Sequence, residues 1–131
     1  MPELPEVQTV VDTLAPHVRG AIIRRAELFR SDICTPATLD LAQRLAGRSV
    51  TDLTRRGKRI VFSLNDCNRF YIHLGMSGSL TALSDDAPRL PHTHLILQFD
   101  RCQIRFTDPR RFGGIFWMGK DLHCEAGLGP E

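Results

Sequence analysis

The chain has 131 residues, 42% of them hydrophobic and 24% charged, with 17 Lys and Arg against 15 Asp and Glu. That size fits one domain with its own core, and the composition is that of an ordinary soluble globular protein. No apolar run reaches membrane-spanning length, the first residues lack the basic-then-apolar form of a secretion signal, and a net charge of +2 is too small by itself to mark a nucleic-acid binder.

The opening MPELPEVQTVVDTLAPHV predicts a helix, because Leu4, Val7, Val10, Val11 and Leu14 recur on one helical face. Pro2 and Pro5 fall where a missing N–H is harmless, and Glu3 and Glu6 suit the positive end of the helix dipole. Gly20 reads as the stop. AIIRRAELF then predicts a strand, and TPATLDLAQRLAGR a second helix capped by Thr35, with Pro36 at its first position and Gly47 at its end. From Ser49 the pattern changes. SVTDLTRR, RIVFSL, RFYIHL, SLTAL, THLILQF, CQIRF and GIFWM are short, apolar and partly alternating, and turn residues separate them. The expected fold class is α+β, mainly β: an antiparallel two-layer β-sandwich of about seven or eight strands flanked by two helices. Residues 1–126 form that domain, and the glycine-rich 127–131 read as the start of a linker.

Cys34, Cys67, Cys102 and Cys124 are widely separated and form no CxxC pair, so reduced, structural thiols are expected rather than a zinc site. His92 and His94 have the spacing of a metal pair but lack nearby acid or thiol ligands, and no metal is assigned to them. Basic residues gather in two places, Arg55, Arg56, Lys58 and Arg59 in one and Arg105, Arg110 and Arg111 in the other. Such patches can meet phosphates without a large net charge.

The opening has a second reading besides a plain helix start. Removal of Met1 would leave Pro2 as a terminal secondary amine, and an α-amino group titrates at about 7.7–8.0, far below a lysine. A helix N-terminus disfavours the ammonium form, so a neutral nucleophile is at hand, able to attack a sugar C1′ and leave an iminium. Glu3 is adjacent and can exchange protons with the same centre. If Met1 stays, the Pro2 nitrogen is an amide and cannot attack.

PELPEV, HLGMSGSL and TDPRRFG occur in this order, supported by RRGKR and the terminal LGPE. Over nearly all its length the chain therefore resembles the formamidopyrimidine-DNA glycosylases, bifunctional base-excision enzymes that remove oxidised purines. The resemblance implies Pro2 as nucleophile, Glu3 as proton donor and acceptor, and Glu6 and Lys58 as further members of the catalytic set. It also implies Lys58 and His73 as phosphate contacts. Met76, Arg110 and Phe112 would enter the duplex, the first two filling the space of the extruded base and the third wedging a neighbouring step. The implied partner is double-stranded DNA carrying 8-oxoguanine, formamidopyrimidines or an abasic site, handled by a cytoplasmic, nucleoid-associated monomer with no membrane role.

No cofactor is expected in this chain, because the family's helix–two-turn–helix and zinc finger would lie beyond it. Two alternatives remain beside that reading. One is a glycosylase of the same family directed at oxidised pyrimidines, against which Leu4 and Met76 speak. The other is a non-catalytic damage-binding or interaction sandwich. Arg111 is expected to pair with Asp108.

Overall fold

The computed structural model describes residues 4–109 and 113–121. The first helix, α1 (Leu4–Val18), buries Val7, Val11, Leu14, Ala15 and Val18, while Val10 is half-buried. These positions recur every three or four residues, so one stripe faces inward and the polar residues face out. On the outer face Gln8 donates to Asp12, and the hydroxyls of Thr9 and Thr13 donate to carbonyls four residues back. The helix stops before Gly20.

The strands form two sheets. In one, β2 (Cys34–Thr35), β9 (Gly114–Lys120), β5 (Asn68–His73), β4 (Arg59–Leu64) and β3 (Val50–Arg56) lie side by side in that order. In the other the order is β1 (Arg25–Leu28), β7 (Thr93–Gln98), β8 (Gln103–Thr107) and β6 (Ser79–Leu83). Side chains alternate across a strand, so every second residue enters the space between the sheets. Leu53, Ile60, Phe62, Phe70, Ile72 and Ile115 supply that core from the first sheet, and Leu80, Leu95, Leu97, Ile104 and Phe106 from the second. Phe62 and Phe70 stack with ring centroids 4.6 Å apart. α1 packs beside β3, β4 and β6 and closes one side of the sandwich. The second helix, α2 (Leu41–Leu45), packs against β1.

The mainly-β sandwich with two helices agrees with the sequence expectation, and three local features depart from it. The β2–β9 pairing is parallel, with Cys34 opposite Ile115 and Thr35 opposite Phe116. That pairing takes up the Thr35 backbone, so Thr35 does not cap α2. Asp40 is the cap, its carboxylate accepting from Gln43 N at 3.1 Å, and α2 is correspondingly shorter than expected. Finally, Cys67 is disulfide-bonded, whereas Cys34 and Cys102 are free. The β4–β5 turn places Cys67 beside the end of β9, where Asp121 N donates to its carbonyl at 2.8 Å; linear spacing gives no sign of this. Burial pushes the Cys34 thiol up, and burial followed by nearby Asp85 does the same to Cys102, which disfavours the thiolate form of both.

The packing predicts an ordered pair of effects in urea unfolding. Phe70→Ala removes a fully buried ring and should cost about 3–5 kcal/mol, whereas Asp40→Ala removes one helix cap and should cost about 1 kcal/mol. Equal midpoints for the two variants would contradict this placement of the core.

Candidate nucleic-acid interface

Several loops reach the same end of the sandwich because the strand register places them there. Arg56 lies opposite Arg59 across the β3–β4 turn, Arg59 opposite His73, and His73 opposite Gly114. The turn carrying Lys58, the end of β5 and the start of β9 therefore adjoin one another. α1 is tied to the same end. Arg55 donates from Nε to Gln8 Oε1 and from Nη1 to Gly57 O, both at 3.0 Å, so one guanidinium links the first half of the helix to the Lys58 turn. Lys58 itself is exposed, as is Glu6 in the first turn of α1.

His73 is half-buried, and its Nδ1 accepts from Gly75 N at 3.2 Å. An accepting Nδ1 carries no proton, so the neutral ring keeps its hydrogen on Nε2. His73 is thus set up as a neutral donor. The next turn holds Met76, whose side chain is 55% exposed and has no place in the core. Gly78 N donates to Leu74 O at 2.9 Å to close that turn. A Cβ at Gly78 would collide with the Leu74 carbonyl, and one at Gly113 with the carbonyl of His73. Only glycine fits at either position.

Asp108 connects these loops. It is fully buried, and its Oδ1 accepts from Ser77 Oγ at 2.6 Å while its Oδ2 accepts from Gly113 N at 2.7 Å. Its own N donates to His92 O at 3.0 Å, and its carbonyl oxygen is bonded by His94 Nε2 at 2.8 Å. Beside it a cavity of about 440 Å³ is lined by Arg30, His92, Thr93, His94 and Pro109. His92 is exposed there at φ +65°, a left-handed conformation that a residue with a side chain adopts at a cost.

Pro2, Glu3, Arg110 and Phe112 lie outside the described residues, as does Arg111, so the expected Arg111–Asp108 pair does too. Of the remaining site residues, Lys58, His73 and Met76 come together at this end, with Glu6 on the helix tied to it. Sequence reading missed the polar recess of Arg30 and His92; the available signal was the PHTH stretch, weighed only as a metal pair. No cluster of metal-ligating side chains is present among the described residues. The second basic patch needs correction. Arg105 is buried on the sheet, donating to the carbonyls of Ala87 and Pro88 and to Gln103, so it holds the 84–90 loop and does not face solvent. Arg55 is likewise a tie between elements rather than an open charge.

Comparison with known proteins fits this arrangement. Residues 1–115 match the model of the formamidopyrimidine-DNA glycosylase N-terminal domain. A formamidopyrimidine-DNA glycosylase of Cellvibrio japonicus is 38% identical over all of this chain, and one of Acidithiobacillus ferrooxidans is 42% identical. The chain spans 49% of the length of each of these two relatives. Among solved structures, the Lactococcus lactis formamidopyrimidine-DNA glycosylase bound non-covalently to abasic-site DNA superposes with a TM-score of 0.86 at 31% identity, over 97% of this chain and 49% of that one. The same enzyme in complex with tetrahydrofuran-containing DNA and an inhibitor gives a TM-score of 0.87 at 32% identity, over 97% of this chain and 47% of that one. The chain belongs to the formamidopyrimidine-DNA glycosylase family, and what it represents of that family is the N-terminal β-sandwich domain.

The close approaches at the turn predict the cost of a single methyl group. Gly78→Ala forces the Leu74 carbonyl aside and should destabilise the protein by about 1–3 kcal/mol in chemical unfolding. An unchanged midpoint would show that the turn relaxes freely.

Proposed function

We propose that this chain is the chemically active half of a DNA glycosylase and abasic-site lyase that acts on oxidised purines in duplex DNA. The observation that carries the reading is the tie between the helix start and the loops. Arg55 joins Gln8 to Gly57, so the chain segment that leads back to Pro2 and Glu3 is held against the turn that bears Lys58. His73 and Met76 share that end of the molecule.

In this reading the target nucleotide leaves the stack at a cost of a few kcal/mol, since neither its C1′ nor its base can be reached inside a duplex. Lys58 holds a flanking phosphate as a point charge, and His73 donates to another from Nε2. Met76 occupies the vacated space, where an unbranched thioether adapts to shape. Arg110 meets the orphaned partner base, and Phe112 wedges the neighbouring step. The neutral amine of Pro2 then attacks C1′. The C1′–N bond to the damaged base breaks and the base leaves with a proton supplied by an acid; the Pro2 nitrogen lone pair then expels O4′ from C1′, so that the ring opens, O4′ takes a proton and the iminium forms. Glu3 carries the protons in these steps, and loss of a C2′ proton from the iminium then expels the 3′ phosphate by β-elimination. Loss of the second phosphate completes δ-elimination. Glu6 supports the acid–base group from the first turn of α1. The chemistry needs Met1 to have been removed.

Reduction by borohydride during reaction with abasic DNA should trap an adduct on residue 2, and protein that retains Met1 should give none. Glu3→Gln should slow base release by about 10²–10⁴-fold with the fold intact. An adduct on Lys58, or trapping by uniformly Met1-bearing protein, would overturn the assignment of the nucleophile.

A charged and a neutral phosphate contact differ in salt dependence. Lys58→Ala should reduce the log–log slope of affinity against salt by about 0.9, and His73→Ala should weaken binding while leaving the slope nearly unchanged. Equal changes of slope would show that His73 binds as the imidazolium.

A further inference from the structure

We propose that Asp108, acting through Ser77, sets the pose of Met76 and thereby the preference of this chain for an abasic site in a duplex over one in a single strand. The inference rests on the assignment of Met76 to the vacated space in the helix. Met76 is more than half exposed, so packing does not fix its backbone. The turn that carries it is closed locally by Gly78 N on Leu74 O and by Gly75 N on His73 Nδ1. Among the described residues, the side-chain hydrogen bond that carries this turn to a distant part of the chain is Ser77 Oγ to Asp108 Oδ1, at 2.6 Å. A bond this short to a buried carboxylate is of the charge-assisted kind, worth about tenfold or more in an equilibrium.

Asp108 is a suitable anchor because it is fully buried and its other groups are already bonded. Its other oxygen holds Gly113 N, and its backbone is bonded to His92 and His94. A buried carboxylate that lost one of these donors would be left undersolvated, so the loops settle together around it. Single-stranded DNA offers no stack to fill after the nucleotide turns out. A duplex does, and only there does a preset Met76 offset the lost stacking. Ser77 and Asp108 are therefore positioning residues whose effect appears in the ratio of the two affinities.

The experiment measures equilibrium binding of the whole chain to a tetrahydrofuran abasic analogue placed in a duplex and in a single strand. Ser77→Ala should lower duplex affinity about tenfold and single-strand affinity less than about twofold. Ser77→Thr, which keeps the hydroxyl, should restore the ratio. Met76→Ala should show the same selective loss, and the double variant should be no worse than Met76→Ala alone. Asp108→Asn should shift the ratio in the same direction if it folds, and the Ser77 variants decide the matter if it does not. Equal loss on both DNAs, an unchanged ratio in Ser77→Ala, or full additivity with Met76→Ala would overturn the proposal. Failure of the catalytic reading is separate: it appears as no borohydride adduct from the wild-type chain and leaves the affinity ratio readable. A wild-type chain that binds neither DNA overturns both.

Discussion

A buried carboxylate must be satisfied where it lies, and the functional end of this molecule is organised by one. Asp108 is fully buried at the end of the second sheet, next to three segments that sequence separates widely. Ser77 follows β5, Gly113 precedes β9, and His92 and His94 flank the start of β7. An ionised oxygen without donors in such a place would cost several kcal/mol, so each segment is drawn to it rather than left to wander. The consequence is geometric. The turn that carries Met76 and the polar recess of Arg30 and His92 are tied to the same buried side chain.

A second tie works on the opposite flank. Arg55 lies on β3, yet its guanidinium spans from Gln8 on α1 to the carbonyl of Gly57. An arginine presents several donors in one plane, so it can hold two acceptors at once where a lysine would hold a single point. The first half of α1 and the turn that bears Lys58 are thereby held together. Rigid sheets supply the platform, and short polar links at its end supply the precision.

How legible this was in the sequence depended on the range of the interaction. The strands from β3 to β9 declared themselves as short apolar runs between turn residues, some with period-two alternation as in RFYIHL, and α1 by its stripe of Val7, Val11 and Leu14. Local chemistry also marked Lys58, His73 and Met76, through motifs whose order along the chain is itself informative. Residues whose roles depend on distant partners were misread. Thr35 looked like a helix cap until β9 took up its backbone, and Arg105 looked like a surface charge until the 84–90 loop folded over it. Cys67 carried no mark of a disulfide, because its neighbour in space is the end of another strand.

The sequence by itself determined the mainly-β class, the first helix, the family and the residue types available for chemistry. Each of these follows from periodicity or from short motifs, which act over a few residues. Only the tertiary structure decided that His73 accepts at Nδ1 and so offers Nε2, that Arg55 binds a helix rather than a phosphate, and that Asp108 gathers the loops. Those outcomes depend on which groups meet after the sheets close, since burial converts an ordinary polar side chain into one that must find its partners.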